Sequence, residues 1–107
     1  MRVLMISLDR GLLGKGFSGD VVERHQKYAD LAGSLDIIVF TRPGFRSENF
    51  SHNLRVFPTN SLKFLHYRAA LKLASVLARA GKYDLLVTQE FAAPVGRKVA
   101  RVLKLPW

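Results

Sequence analysis

The chain has 107 residues, 49% of them apolar, no cysteine, and 17 basic against 8 acidic side chains for a net charge of +9. This length and apolar content admit one domain with a hydrophobic core and exclude a disordered chain. Without cysteine there are no disulfides or thiolate metal sites, and no run approaches the roughly 20 apolar residues of a membrane span. A reducing cytoplasm is the expected compartment, and the charge calls for an anionic partner: nucleic acid, lipid headgroups or a phosphorylated ligand.

In chain order, Arg2 to Leu8 opens with Val3, Leu4, Met5, Ile6 and Leu8 almost without interruption. Such a run predicts a strand buried on both faces, as in a parallel sheet covered by helices, and the N-terminus is too short to read as a signal peptide. The next stretch, Asp9 to Asp20, holds Gly11, Gly14, Gly16 and Gly19 around Lys15 and Ser18. Glycine loses more entropy on ordering than any other residue, so four so close need a reason. A strand, a glycine-rich loop and a helix N-terminus in succession offer one, because bare backbone N–H groups can approach an anion, most often a phosphate. A glycine-rich surface loop with no ligand is the competing reading.

Asp20 followed by Glu23 resembles a capping box, after which Val21, Val22, His25, Ala29 and Ala32 share one helix face and Gly33 ends the helix. His25 on that face reads as a packed histidine rather than a proton shuttle, for which no partner can be named. Asp36 to Phe40 is a second buried strand, and Thr41 to Asn53 a polar connection turned at Pro43-Gly44. The sequon Asn49-Phe50-Ser51 carries no weight in a cytosolic chain. Leu54 to Phe57 is a short third strand closed by Pro58, and Asn60 or Ser61 is placed to cap the next helix.

That helix, Leu62 to about Ala80, sets Leu62, Leu65, Ala69, Leu73, Val76 and Ala80 on one side and Arg68, Lys72, Ser75 and Arg79 on another. Gly81 terminates it. Leu85 to Thr88 is the fourth strand, with Gln89 and Glu90 at its exit. Ala92 to Lys104 reads as a third helix with Pro94 in its first turn, and Leu105-Pro106-Trp107 as the lead-in to another strand. The alternation predicts an α/β, Rossmann-like parallel sheet of about four strands in the order 3-2-1-4, with three main helices and right-handed crossovers.

Gly14-Lys15-Gly16-Phe17-Ser18-Gly19 is literally G-x-G-x-x-G. In the dinucleotide fingerprint the first glycine follows the strand at once and the second strand ends in an acid for the ribose. Here Asp9 to Leu13 intervene, and the second strand ends in Phe40-Thr41-Arg42. Arg42 keeps a 2′-phosphate, and so NADP, as a minor alternative. A Walker A loop is excluded, because no Gly-Lys-Ser/Thr triplet exists. His25, His52 and His66 lack zinc spacing, so no metal is expected, and no serine or cysteine nucleophile motif appears.

Arg2-Val-Leu-Met-Ile-Ser-Leu-Asp-Arg-Gly-Leu-Leu-Gly-Lys-Gly16, then Ser18-Gly-Asp-Val-Val-Glu-Arg-His-Gln-Lys-Tyr-Ala29, resembles the amino-terminal domain of the family 4-type (group 1) glycosyltransferases. Tyr83-Asp-Leu-Leu-Val-Thr-Gln-Glu90 is similar to their fourth strand and its exit. The resemblance implies the first, acceptor-side part of a two-domain GT-B enzyme, with residues 1–107 an incomplete Rossmann-like domain. It implies hexosyl transfer from a nucleotide sugar to a glycan or lipid-linked acceptor, in glycan biosynthesis, with no cofactor beyond that donor. Gly11, Gly14, Lys15, Gly16, Ser18 and Gly19 then form the donor-phosphate or acceptor loop, and Arg42, Gln89 and Glu90 face the acceptor cleft. The loop as a mere cleft wall, and Glu90 as a helix cap, are the alternatives. The family's carboxyl-terminal glutamate pair and the histidine after its fifth strand are missing, so the catalytic residues are unassigned and the chain alone is expected to be inactive. Lipid-linked acceptors make Lys63, Arg68, Lys72 and Arg79 candidate contacts for anionic headgroups on the inner face of the membrane, against an ordinary solvated face. The alternative function is a stand-alone basic module binding a phosphorylated ligand, NADP or nucleic acid. Nucleic acid is disfavoured, because no aromatics interleave with the basic residues and no reading motif is present.

Overall fold

The structure is a computed structural model that describes residues 1–7, 19–62, 65–88, 97 and 101. Its elements are β1 (Arg2–Ser7), α1 (Gly19–Ala32), β2 (Ser34–Val39), β3 (Glu48–Ser51), β4 (Leu54–Pro58), α2 (His66–Ala80) and β5 (Leu85–Thr88). The strands form one mixed sheet in the order β3-β4-β2-β1-β5. β1 pairs in parallel with β2 (Met5 opposite Ile37) and with β5 (Met5 opposite Val87), and β2 pairs in parallel with β4 (Ile37 opposite Val56). β3 is antiparallel to β4, with an irregularity between Asn49 and Ser51.

Strand count, and with it the order of the sheet, departs from the expected four in the order 3-2-1-4 through one added strand, while β4-β2-β1-β5 keep the relative order expected of the four. The added strand is β3, inside the segment read as a polar connection. Its residues Glu48, Asn49 and Phe50 are exposed and carry no alternating pattern, so nothing local marks them as a strand. They become one because the outer edge of β4 offers a ladder of backbone partners. The turn joining them is held from the α1 side. Asn53 is buried, accepts from Gln26 Nε2 at 2.8 Å and donates to Asp30 Oδ1 at 3.0 Å, while its carbonyl takes the Leu35 N–H at 2.8 Å. Gln26 Nε2 also donates to Asp30 Oδ1 at 3.0 Å, and the bonds from Asn53 first and Gln26 next hold the Asp30 carboxyl below its ordinary pKa.

Two apolar layers follow from strand alternation. Val3, Met5, Leu35, Ile37, Val39, Leu54 and Val56 form the layer that receives Ala29 of α1. Leu4, Ile6, Ile38, Phe40 and Leu86 form the opposite layer, against Ala70, Ala74 and Leu77 of α2. β1 and β2 are buried at every position after their first residue, as uninterrupted apolar runs require. α1 ends where expected: Gly33 has φ +107° and its N–H bonds to the Ala29 carbonyl at 2.7 Å. A Cβ there would stand 3.1 Å from the Met1 nitrogen, so close approach and backbone conformation both select glycine.

α2 corrects two expectations. It starts at His66 rather than Leu62, and its N-cap is Leu65, which makes no side-chain cap bond, so neither Asn60 nor Ser61 caps it. Its inward face is Ala70, Ala74 and Leu77, whereas Leu62, Leu65 and Val76, read as part of one apolar side, are 55%, 37% and 49% exposed. Ala70 and Ala74 are fully buried against the sheet, Leu77 is buried beside them, and Leu71 and Leu73 pack at the margins of this face. The third helix, Ala92 to Lys104, and the strand lead-in after it fall outside the described residues, except that Arg97 and Arg101 are helical and exposed. Among the described residues no helix is long and apolar enough to cross a membrane.

Candidate functional site

In a parallel sheet the strand ends, loop starts and helix N-termini collect on one edge, where ligands of open α/β sheets bind. Here that edge carries Ser7 at the end of β1, Phe40 to Arg42 after β2, Thr59 to Ser61 after β4, and Thr88 at the end of β5. Gly19, the last residue of the candidate loop, is the first residue of α1. β1 lies between β2 and β5, so Ser7 ends inside this edge rather than at its margin. Gly11, Gly14, Lys15, Gly16, Ser18, Gln89 and Glu90 lie outside the described residues. Arg42 is exposed, one residue beyond a fully buried Thr41.

Thr41, the neighbour of Arg42, is held by a polar clasp that the sequence reading missed. Thr41 N–H donates to Thr59 Oγ1 at 2.9 Å, and the Thr59 hydroxyl donates back to the Thr41 carbonyl at 3.2 Å. Ser61 N–H reaches that same carbonyl at 3.0 Å. The Asn60 N–H donates to Thr41 Oγ1 at 3.0 Å, and the Thr41 hydroxyl donates to Asn60 Oδ1 at 3.2 Å. The Asn60 side chain then spans to Phe45, accepting from its N–H at 3.1 Å and donating to its carbonyl at 2.9 Å. Asn60 does this with φ +48°, a left-handed conformation that asparagine tolerates better than most residues.

His66 completes the clasp from the first turn of α2. Its Nε2 lies 3.1 Å from both the Thr41 and the Ser61 carbonyl oxygens, so Nε2 carries the proton and donates to them. Its ring stacks on Phe40 with centroids 5.3 Å apart. The signal available in sequence was the Thr59-Asn60-Ser61 triplet after Pro58, but a cap was the only role that local reasoning could give it. His66 offered none, because its partners are backbone atoms. His25 is buried with its ring edge-on to Tyr28 at 5.4 Å, as the packed-histidine reading expects.

The opposite edge of the sheet holds the main ionic cluster of the described residues. Asp36, 1% exposed, accepts from Arg55 Nε at 2.9 Å and Nη2 at 2.6 Å, and from the Tyr83 hydroxyl at 2.5 Å. Arg2 approaches the same carboxylate at 3.5 Å and lies 4.5 Å above the Tyr83 ring. Burial first, and then the bond to Asp36, push the Tyr83 hydroxyl far above its ordinary pKa, while the Asp36 bond raises that of Arg55. A Cβ on Gly81 would meet the Arg2 guanidinium, which would have to shift to admit it. The cluster is a structural lock at the end away from the candidate site.

Among the described residues two hollows stand out. One of about 440 Å³ on the α1 side is lined by Met1, Val3, Met5, Leu31, Leu85 and Val87 with the Tyr28 ring, and presents almost no polar group. The other, about 370 Å³, is lined by Ser61, Leu65, Arg68, Ala69 and Lys72 beside the start of α2. Among the described residues no group of three or more His, Cys, Asp or Glu side chains gathers to hold a metal ion.

The structure is thus an α/β fold with a five-stranded mixed sheet, in which the exposed Arg42 lies just beyond the carboxyl edge of the parallel strands. No protein-family model, curated protein or solved structure matches the chain. A functional reading rests on its own residues and topology.

Proposed function

We propose that the chain is the acceptor-side, Rossmann-like amino-terminal part of a GT-B glycosyltransferase, moving a hexosyl group from a nucleotide sugar to a glycan or lipid-linked acceptor in the cytoplasm. One observation carries the reading. β1 sits between β2 and β5, parallel to both, so Ser7, Val39 and Thr88 end at one edge, and the glycine-rich stretch, Thr41-Arg42 and Gln89-Glu90 are the sequences that follow these ends. In glycosyl transfer the nucleoside diphosphate departs with growing negative charge, and donors aimed at it act most strongly in the transition state. Lys15 and the amides of Gly14 to Gly19 are the donors assigned to that charge. Arg42, Gln89 and Glu90 are assigned to the acceptor side, and the reading calls for no metal.

A second reading, a stand-alone module for a phosphorylated nucleotide such as NADP, is favoured by the exposed Arg42 directly after β2. Amide chemical shifts of the isotope-labelled chain, titrated separately with nucleoside diphosphates, NADP and a short RNA, separate the alternatives. The transferase reading expects saturable shifts within residues 9–20 from the nucleoside diphosphates, lost in Gly16→Val with little change in melting temperature and weakened in Lys15→Ala. Saturation by NADP alone, abolished by Arg42→Ala, would transfer the site to the second reading. A coding frame that continues past Trp107 into a second βα domain supports the first.

A further inference from the structure

We infer that the outer face of α2 is a docking surface for an anionic lipid bilayer. At 100° per residue, Arg68, Lys72 and Arg79 fall within roughly 40° of arc, about 170° from the centre of the Ala70, Ala74 and Leu77 stripe that meets the sheet. All three are exposed and form no ion pair with a described residue. Leu65, Ala69 and Val76 come next around the helix, on one side of the cations, and Leu65 and Val76 are 37% and 49% exposed. The helix thus presents a basic row with an apolar shoulder, and long basic side chains at such a boundary lay their stems on apolar surface while the charge reaches outward.

Charge complementarity selects the occupant. Between Glu48 and Asp84 the sequence contains no acidic residue, while Lys63, Arg68, Lys72, Arg79 and Lys82 are all basic. A protein partner with ordinary mixed charge would leave this face unmatched, whereas a lipid surface that is uniformly anionic on the outside and apolar beneath matches both of its halves. The hollow of about 370 Å³ between Leu65, Arg68 and Lys72 lies on this face. Ser61 also lines it, and its buried hydroxyl has no hydrogen-bond partner among the described residues. The exposed Leu31 and Tyr28 of α1 do not compete, because Glu23 and Asp30 are exposed on the same helix beside Arg24 and Lys27. The inference does not depend on sugar transfer.

The test is sedimentation of the whole chain with vesicles of phosphatidylcholine alone or mixed with phosphatidylserine. Binding is expected only to the mixed vesicles, and it declines as salt is raised well above 0.1 M, where the screening length is about 10 Å. At about fivefold per basic residue near the surface, Arg68→Gln/Lys72→Gln/Arg79→Gln should weaken binding roughly a hundredfold. Leu65→Ser/Val76→Ser should weaken it several-fold, and Arg24→Gln/Lys27→Gln on α1 should change it little. These side chains are exposed, and thermal melts by circular dichroism verify that each variant folds. Equal binding to neutral vesicles, the same loss per charge from the α1 pair as from the α2 triple, or preference for RNA at matched ionic strength would overturn the inference.

Discussion

Asp36→Asn tests whether the cluster at the amino edge of the strands locks the fold. The substitution keeps shape and volume but removes one acceptor oxygen and puts an N–H₂ group against either Arg55 or Tyr83. Asp36 now takes two bonds from Arg55 and one from Tyr83, at 2.9, 2.6 and 2.5 Å. A hydrogen bond to a charged group is worth about 1.5–3 kcal/mol, and a buried group left without a partner costs about 1–3 kcal/mol. Breaking a fully buried pair costs about 3–5 kcal/mol. Arg2 and Arg55 have side chains 29% and 38% exposed and can regain water, so the lower end applies. The expected loss is about 3 kcal/mol, a large part of the roughly 5–15 kcal/mol that holds a domain together. Tyr83→Phe removes one donor to the buried carboxylate and should cost about 1.5–3 kcal/mol. Because the two side chains share a bond, the double variant should lose less than the sum, by about 1 kcal/mol. Urea unfolding followed by circular dichroism measures all three. Asp36→Asn within about 0.5 kcal/mol of the parent, the range of ordinary surface changes, or strict additivity in the double variant, would refute the argument.

The rotation of α2 can be checked by volume. Ala74→Leu, at a position with no exposure, should cost about 1–3 kcal/mol by overpacking, whereas Val76→Ala, half exposed, should stay within about 0.5 kcal/mol in the same urea assay. Stability should also decline in alkali. The folded chain keeps the Tyr83 proton above pH of about 10 while the unfolded chain releases it, so this contribution is whole below that pH and is lost above it. Urea midpoints between pH 9 and about 11 should fall less steeply in Tyr83→Phe, and an equal slope would contradict the assignment.

The sequence by itself determined the buried parallel strands and the stop of α1. Val3 to Ile6 and Ile37 to Phe40 are apolar without interruption, and such runs are stable only when both faces are covered. Gly33 was legible for a similarly local reason, since a helix end in a left-handed conformation prefers glycine. The carboxyl edge as the place of Arg42, just after β2, followed from the same alternation of elements. Tertiary structure alone decided the rest. β3 is polar and short, and it is a strand only because β4 offers it an edge. The apolar residues of α2 span more than half its circumference, so periodicity could not choose which of them meet the sheet, and the fully buried positions went to Ala70 and Ala74. Asp36, Arg55 and Tyr83 are 19 and 47 residues apart, and Thr41 lies 18 to 25 residues from its clasp partners Thr59, Asn60 and His66. No local preference records such partners, because those bonds exist only once the sheet has brought the strand ends together.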